Sequence, residues 1–284
     1  MSLRFPLLSF FVLAYAISWL IWAPLWLPAL GFDGLPVLPF HHALGSIGPL
    51  AAAFIMSGRA GSAELLRRMF LFRGRVSWVL VALLLPFAIL AIGLLAAYLF
   101  GGEVLSLDKV GVTTEFSQFN ALEFLLYNIV VFGFGEETGW RGYALPRLQA
   151  RHSALVASLI LTICWAAWHL PLFLYRPGYA GMGLAAAAGW LISLVTGSVI
   201  TTWLYNTSRG SILVVAVLHA TIDIAFTSAN SSPIVVNAAG FLITVLGVGL
   251  IVAYGPRTLS PAGKMIWNGT GQEIQPAEGG ARAP

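Results

Sequence analysis

Residues 124–142 read FLLYNIVVFGFGEETGWRG. Up to Phe134 the only strongly polar side chain in this stretch is that of Asn128, so the stretch begins as an apolar run of the kind that crosses a bilayer. Glu136, Glu137 and Arg141 then follow in quick succession. Charged side chains at membrane depth cost roughly 2.5–3.5 kcal/mol each on insertion scales, so they usually mark a functional site.

The composition of the whole chain indicates a membrane protein. Of its 284 residues, 58% are hydrophobic and 9% are charged, whereas a soluble domain carries roughly a quarter charged residues. The single cysteine, Cys164, lies in an apolar run, which excludes a disulfide framework and a CxxC metal site. We therefore expect an integral, multi-pass membrane protein with one helical domain and no nucleic-acid partner.

Apolar stretches that could cross a hydrocarbon core of roughly 30 Å recur along the chain. They predict an all-α, polytopic bundle of about eight transmembrane helices within residues 1–256, followed by a disordered tail at 257–284 that is rich in Gly, Pro and Ala. The predicted spans are 5–30, 39–58, 76–100, 118–136, 153–175, 179–205, 210–230 and 233–254.

The basic residues predict how this bundle is oriented. With eight spans, thirteen of the fifteen Lys and Arg residues fall on the side that holds both termini, and only Lys109 and Arg176 fall on the other. Cytoplasmic loops carry the excess of basic residues, so we expect cytoplasmic termini, and the plasma (inner) membrane if the protein is bacterial. Residues 59–75 are predicted to be an interfacial basic segment that binds anionic lipid headgroups.

The spacing of the ionisable residues inside the spans suggests separate roles for them. Glu137 and Arg141 are four residues apart with the acid first, the favourable order for a helical ion pair. Glu136 lies about 100° around the helix from Glu137 and is left available for chemistry. Two further pairs share a helix face because they are also four apart. These pairs are Trp165 with His169 and His219 with Asp223.

These groups could converge on one polar pocket between three helices. Helical rise from the cytoplasmic ends puts His169 about 24 Å deep and His219 about 14 Å deep, a difference that tilt or an earlier helix start must absorb. Glu136 reaches the depth of His169 only if its helix continues through Arg141 towards Ala150. The alternative interpretation is a purely structural polar network between helices.

The chemistry of this set favours hydrolysis of an amide bond. A glutamate beside a histidine in a partly dehydrated cavity is suited to activating water, because both groups can exchange a proton with it. A second group that donates hydrogen bonds would stabilise the tetrahedral oxyanion. No GxSxG, HExxH or catalytic Cys/His pattern occurs in the sequence, so the serine, zincin and cysteine peptidase classes are not indicated.

Three segments resemble, in order and approximate spacing, the motifs of the CPBP intramembrane proteases, a family that includes the CAAX prenyl endopeptidases. The segments are EETGWRG (136–142), WAAWH (165–169) and HATID (219–223), within a motif core at 118–230. The resemblance implies a glutamic-type endopeptidase without a cofactor. Its partners would be membrane lipid and a membrane-associated protein or peptide substrate, which is prenylated in the best-known members.

Carried over by position, the resemblance also implies catalytic roles. Glu136 would be the general base that activates water, assisted by His169. His219 and Asp223 would form the oxyanion site. Glu137 and Arg141 would support these groups.

Two positions depart from the family pattern. Trp165 replaces the usual phenylalanine, a conservative aromatic change. Asp223 replaces asparagine, and an ionised aspartate cannot donate a hydrogen bond to an oxyanion. We expect Asp223 to orient His219 so that the imidazole donates, with a protonated Asp223 as the alternative.

Three other functions stay open at this point. Glu136, His169, His219 and Asp223 are also a legitimate zinc ligand set, which would make the protein a metalloprotease. The same scaffold could serve a non-catalytic membrane partner or immunity protein, since fold does not fix function. A proton-coupled transporter is disfavoured because no inverted repeat is visible. The sequence does not identify the physiological substrate or the oligomeric state.

Overall fold

The structure of the protein, a computed structural model, describes residues 6–70, 72, 75–103, 110–112, 116, 118–227 and 232–267. These residues are predominantly helical and form no β-sheet, which confirms the predicted all-α membrane bundle. Helices shorter than one full span alternate with long ones. The α-helices are α1 Pro6–Ile21, α2 Ala23–Trp26, α3 His41–Gly45, α4 Gly48–Phe70, α5 Val76–Gly101, α6 Ala121–Asn128, α7 Phe134–Glu137, α8 Leu145–Gln149, α9 Ala154–Trp168, α10 Leu172–Tyr175, α11 Pro177–Ala180, α12 Leu184–Thr207, α13 Ile212–Thr227 and α14 Pro233–Thr258.

Four stretches of the described chain are long and apolar enough to cross a membrane: Val76–Gly101, Ala154–Tyr175, Leu184–Thr207 and Pro233–Thr258. A fifth would be added if Pro6–Ile21 and Ala23–Leu30, which are inclined at 58° to each other, count as one broken span. Helices occur in all eight predicted stretches, but the others are too short or too polar for this criterion. The count of eight and the cytoplasmic termini therefore stay predictions.

The helical stretch from Ala121 to Gln149, which we call the motif helix, occupies the middle of the bundle. It consists of α6, α7 and α8 joined by two π-helical segments, Ile129–Gly133 and Thr138–Ala144. Helix α4 packs along the second π segment, and α13 packs along the first and along α7. Every residue from 132 to 146 is buried. The motif helix therefore continues past Arg141, as convergence of the site requires.

Two glycines of the motif helix explain how its neighbours come so close. A Cβ on Gly133 would lie 2.5 Å from the Ala216 carbonyl oxygen of α13. A Cβ on Gly139 would lie 2.6 Å from the Pro49 carbonyl oxygen of α4. Small residues let helix backbones approach closely in a membrane, where packing rather than water exclusion drives association. Gly133 and Gly139 are thus packing sites for α13 and α4, respectively.

The C-terminal segment departs from the predicted disorder. Residues 259–267 lie against the ends of α8, α9 and α12, and the Lys264 Nζ donates to the Gln149 and His152 carbonyls at 2.8 and 2.9 Å. The Met265 amide donates to the Asn206 Oδ1 at 3.1 Å. The prediction of a disordered tail beginning at residue 257 is therefore wrong for residues 257–267, because polar contacts that no composition reveals hold this segment. Residues 268–284 of the predicted tail lie outside the described residues.

The basic segment predicted to lie at the interface is partly inside the bundle. Helix α4 continues to Phe70, with a non-helical Gly58 at φ 60°. Arg68, near its end, is only 6% exposed. The expectation of a headgroup-facing side chain is therefore wrong for this arginine.

Candidate active site

The motif helix presents two adjacent glutamates deep inside the protein. Glu136 is 5% exposed and Glu137 is 1% exposed, and both lie in α7 between the two π segments. A π turn contains an additional residue, so it changes which side chains share a face of the helix, and such turns are frequent at functional sites. The interruptions of helical periodicity here were not visible in the sequence.

Glu137 is the centre of a buried charged cluster. The Arg141 Nη1 donates to the Glu137 Oε1 at 2.9 Å, and Arg141 is completely buried. The predicted ion pair is therefore present. The His219 Nδ1 donates to the same oxygen at 2.7 Å, and the Arg141 Nη2 donates to the Ser198 hydroxyl at 3.2 Å. Glu137 thus joins the first and third motifs directly.

Glu136 faces the other nitrogen of the same imidazole. Its Oε1 lies 3.9 Å from the His219 Nε2, and its Oε2 accepts a hydrogen bond from the Trp165 Nε1 at 2.9 Å. The Arg141 guanidinium carbon lies 4.8 Å from the centre of the Trp165 ring. The carboxylate at 136 is therefore next to an imidazole and does not face lipid.

Trp165 makes a contact that the sequence does not predict. A conservative aromatic change is expected at this position, but the indole N–H donates to Glu136, which phenylalanine cannot do. The four-residue spacing to His169 showed that Trp165 shares a helix face with that histidine. It did not show which neighbouring helix that face meets.

His169 and Glu136 both contact Trp165. Helix α9 ends at Trp168, and the His169 Nδ1 donates to the Trp165 carbonyl oxygen at 2.7 Å. The imidazole is 7% exposed and is surrounded by aromatic rings, with the Tyr179 ring stacked at 5.9 Å. Its Nδ1 proton is therefore engaged by the backbone, which leaves Nε2 as the available acceptor.

Asp223 completes the set on α13. Its Oδ2 lies 3.6 Å from the His219 Nε2, and its side chain is 34% exposed. The i,i+4 spacing therefore brings the two side chains together as predicted. The sequence predicts Asp223 as the group that orients the His219 ring, but Glu137 accepts a hydrogen bond from the Nδ1 edge of this ring, because the motif helix lies against that edge.

Metal ligation was tested on the same side chains. Among the residues that the structure describes, no three or more His, Cys, Asp or Glu side chains are grouped so that they could hold a metal ion. The zinc alternative stays open.

A cavity of about 530 Å³ lies near the motif helix, but none of the six predicted site residues lines it. Its lining is mostly apolar and includes Phe40, His42, Tyr175 and Arg176. The His42 ring lies 6.0 Å from that of Phe132 on the motif helix. A largely apolar ligand would suit this lining.

Comparison with known proteins agrees with the motifs. Residues 118–225, which contain all six predicted site residues, match the family described as type II CAAX prenyl endopeptidase Rce1-like. The chain is 30% identical over 148 residues to CAAX prenyl protease 2 of Methanococcus maripaludis, and the alignment covers 51% of this chain and 53% of that protein. The chain thus spans about half the length of the curated relative it matches. The resemblance seen in the three motifs is confirmed, because residues 118–225 match the Rce1-like CAAX prenyl endopeptidase family.

Proposed function

We propose that this protein is a membrane-embedded endopeptidase of the glutamic type, in which Glu136 activates a water molecule for attack on a peptide bond. The observation that carries the proposal is the position of the Glu136 carboxylate. The carboxylate is buried. One of its oxygens accepts a hydrogen bond from Trp165, and its other oxygen lies 3.9 Å from the His219 Nε2. The match of residues 118–225 to a peptidase family supports the same reaction class.

The first step is removal of a proton from water. The separation of 3.9 Å between the Glu136 Oε1 and the His219 Nε2 is too long for a direct hydrogen bond and suits a bridging water. The bond from the Trp165 N–H stabilises Glu136 as a carboxylate, the form that a general base needs. Glu136 takes the proton, and the hydroxide attacks the carbonyl carbon of the substrate.

The second step is stabilisation of the tetrahedral oxyanion and release of the amine. His219, held through Nδ1 by Glu137, directs Nε2 towards the reacting atoms and donates from it when the ring is an imidazolium beside Glu137 and Asp223. Glu136 then returns its proton to the leaving nitrogen. His169 assists from the second imidazole, with its Nδ1 proton held by the Trp165 carbonyl.

The substrate we propose is a membrane-associated protein or peptide with an apolar segment at the cleavage site. The buried position of Glu136 within an apolar helical bundle supports this class. The relative's name refers to a prenyl protease, so a prenylated peptide is the first candidate. The plasma membrane is the proposed location if the protein is bacterial.

The test is cleavage of a peptide library by purified protein in lipid, with and without a prenyl group on the peptides. Glu136→Gln keeps the size of the side chain but removes the base, so kcat should fall about 10²–10⁴-fold. The matched control is Glu123→Gln, at the exposed start of the motif helix, where glutamine can replace glutamate in the capping box. Equal cleavage by wild type and Glu136→Gln would contradict the proposal, and a non-catalytic binding protein would cleave with neither.

Chelation separates this mechanism from the zinc alternative. We expect activity to survive exhaustive treatment with EDTA and phenanthroline, with zinc absent from the active preparation by elemental analysis. Activity that disappears on chelation and returns on addition of Zn²⁺ would instead assign the water to a metal.

A further inference from the structure

Arg68, near the end of α4, is a buried cation that belongs to none of the three motifs. Only 6% of it is exposed. Arginine is rarely buried unless its donors are paired. Its partners therefore indicate why the chain keeps a charge here.

One partner is the backbone of the motif helix. The Arg68 Nη2 donates to the Gly142 carbonyl oxygen at 2.9 Å. Gly142 lies in the π segment Thr138–Ala144, directly after Arg141. In a π turn the hydrogen bonds run from i to i+5 instead of i to i+4, so a helix that contains one can pair its backbone groups in more than one register. A donor from outside the helix that binds one carbonyl favours one of these registers.

The remaining contacts hold the guanidinium in place. The Arg68 Nη1 donates to the Tyr205 hydroxyl oxygen at 2.8 Å, and the guanidinium carbon lies 4.5 Å from the centre of the Trp267 ring. The Trp267 Nε1 donates to the same hydroxyl oxygen at 3.1 Å. The C-terminal segment therefore covers Arg68 with an aromatic face and shares a hydrogen-bond acceptor with it.

An ion pair with Glu64 involves the Arg68 Nε and does not account for its two terminal nitrogens. The Glu64 carboxylate forms an ion pair with the Arg68 Nε, at 3.6 Å. Glu64 makes its two short hydrogen bonds with the neighbouring Arg67, at 2.7 and 2.5 Å. The terminal donors of Arg68 are directed instead at two neutral oxygens, a hydroxyl and a backbone carbonyl. The Arg68 side chain thus connects the backbone of the motif helix, at Gly142, to the Tyr205 hydroxyl of α12.

We propose that Arg68 is a positioning residue for the reaction, which fixes the register of the π segment that carries Arg141, with Trp267 and Tyr205 holding its guanidinium. The inference rests on the proposed function. From Gly142 the chain of contacts continues through Arg141 to the Glu137 Oε1 at 2.9 Å and from there to the His219 Nδ1 at 2.7 Å. A shift of the π segment would turn the imidazole that faces Glu136.

The experiment compares Arg68→Met and Arg68→Lys with Arg67→Met, a control at the adjacent, more exposed arginine. In Arg68→Met we expect kcat to fall about 10²-fold when activities are compared at equal amounts of folded protein. This is the loss expected when catalytic groups are misplaced by about 1 Å. KM should stay within about twofold of the wild-type value. Lysine can reach only one of the two oxygens and should restore part of kcat. Arg67→Met should match wild type.

Hydrogen–deuterium exchange gives a readout that does not require activity. Residues 138–149 should exchange faster in folded Arg68→Met than in wild type, while α5 and α14 should not change. Tyr205→Phe, which removes one hydroxyl and keeps the ring, should shift the same segment less.

Two results would overturn the inference. One is an unchanged kcat with unchanged exchange in residues 138–149. The other is a loss of activity that only follows the loss of folded protein, with exchange rising evenly over all helices. If wild type itself cleaves no peptide, the proposed function fails, and faster exchange confined to residues 138–149 then supports only the structural part of the inference, that Arg68 fixes the register of the π segment.

Discussion

The motif helix and α5 show how this protein differs from a soluble bundle. Helix α5 is almost entirely apolar, yet it exposes large side chains such as Leu84 and Phe100, which are 57% and 85% exposed. The motif helix contains glycines and three charged residues within 133–142, and residues 132–146 are all buried. Lipid is as apolar as leucine, so apolarity does not decide which helix lies inside. Small residues and paired charges decide it.

The largest effect that we expect comes from separating the buried charges of the motif helix. Arg141→Met leaves Glu137 without its arginine partner, which should lower the free energy of unfolding by about 3–5 kcal/mol. The measurement is the unfolding midpoint in a fixed detergent. Glu137→Gln combined with Arg141→Met should recover most of the stability, because no unpaired charge remains. If the single variant is as stable as wild type, the charges do not hold the motif helix inside.

The next effect concerns the glycine contact between the motif helix and α13. Gly133→Ala adds a methyl group 2.5 Å from the Ala216 carbonyl oxygen, so α13 must move outward. We expect a loss of about 1–3 kcal/mol in stability together with reduced cleavage, since α13 carries His219. Leu84→Ala on the lipid-facing side of α5 is the control, with an expected change within about 0.5 kcal/mol. Equal losses of stability in Gly133→Ala and Leu84→Ala would mean that the motif helix is packed no more tightly than the lipid-facing side of α5.

A smaller effect should distinguish packing from hydrogen bonding at the site. Trp165→Phe keeps an aromatic ring but removes the donor to Glu136, so kcat/KM should fall roughly fivefold, equivalent to about 1 kcal/mol. Trp203→Phe is the matched control, because its buried indole nitrogen has no hydrogen-bond partner in the described part of the chain. Unchanged cleavage by Trp165→Phe would mean that the bond to Glu136 does not contribute to the reaction.

Local spacing predicted those parts of the site that depend on a single helix. The pair Glu137–Arg141 and the pair His219–Asp223 each follow from a four-residue interval, and both pairs are found. The partner of His219 could not be predicted in the same way, because Glu137 and His219 are 82 residues apart. The same limit applies to the Trp165–Glu136 bond. Contacts between helices depend on helix rotation and tilt, which no interval in one helix encodes.

The sequence by itself determined that this chain is a helical membrane protein with three peptidase-like motifs in order. Hydropathy is additive along the chain, and motif intervals are properties of one helix. The tertiary structure decided which carboxylate faces which imidazole, that two π segments frame the glutamates, and that residues 259–267 pack on the bundle. The reason is physical. These features arise from contacts between segments that are distant in the sequence. When one helix shifts by one turn or by about one ångström relative to its neighbour, different side chains come into contact.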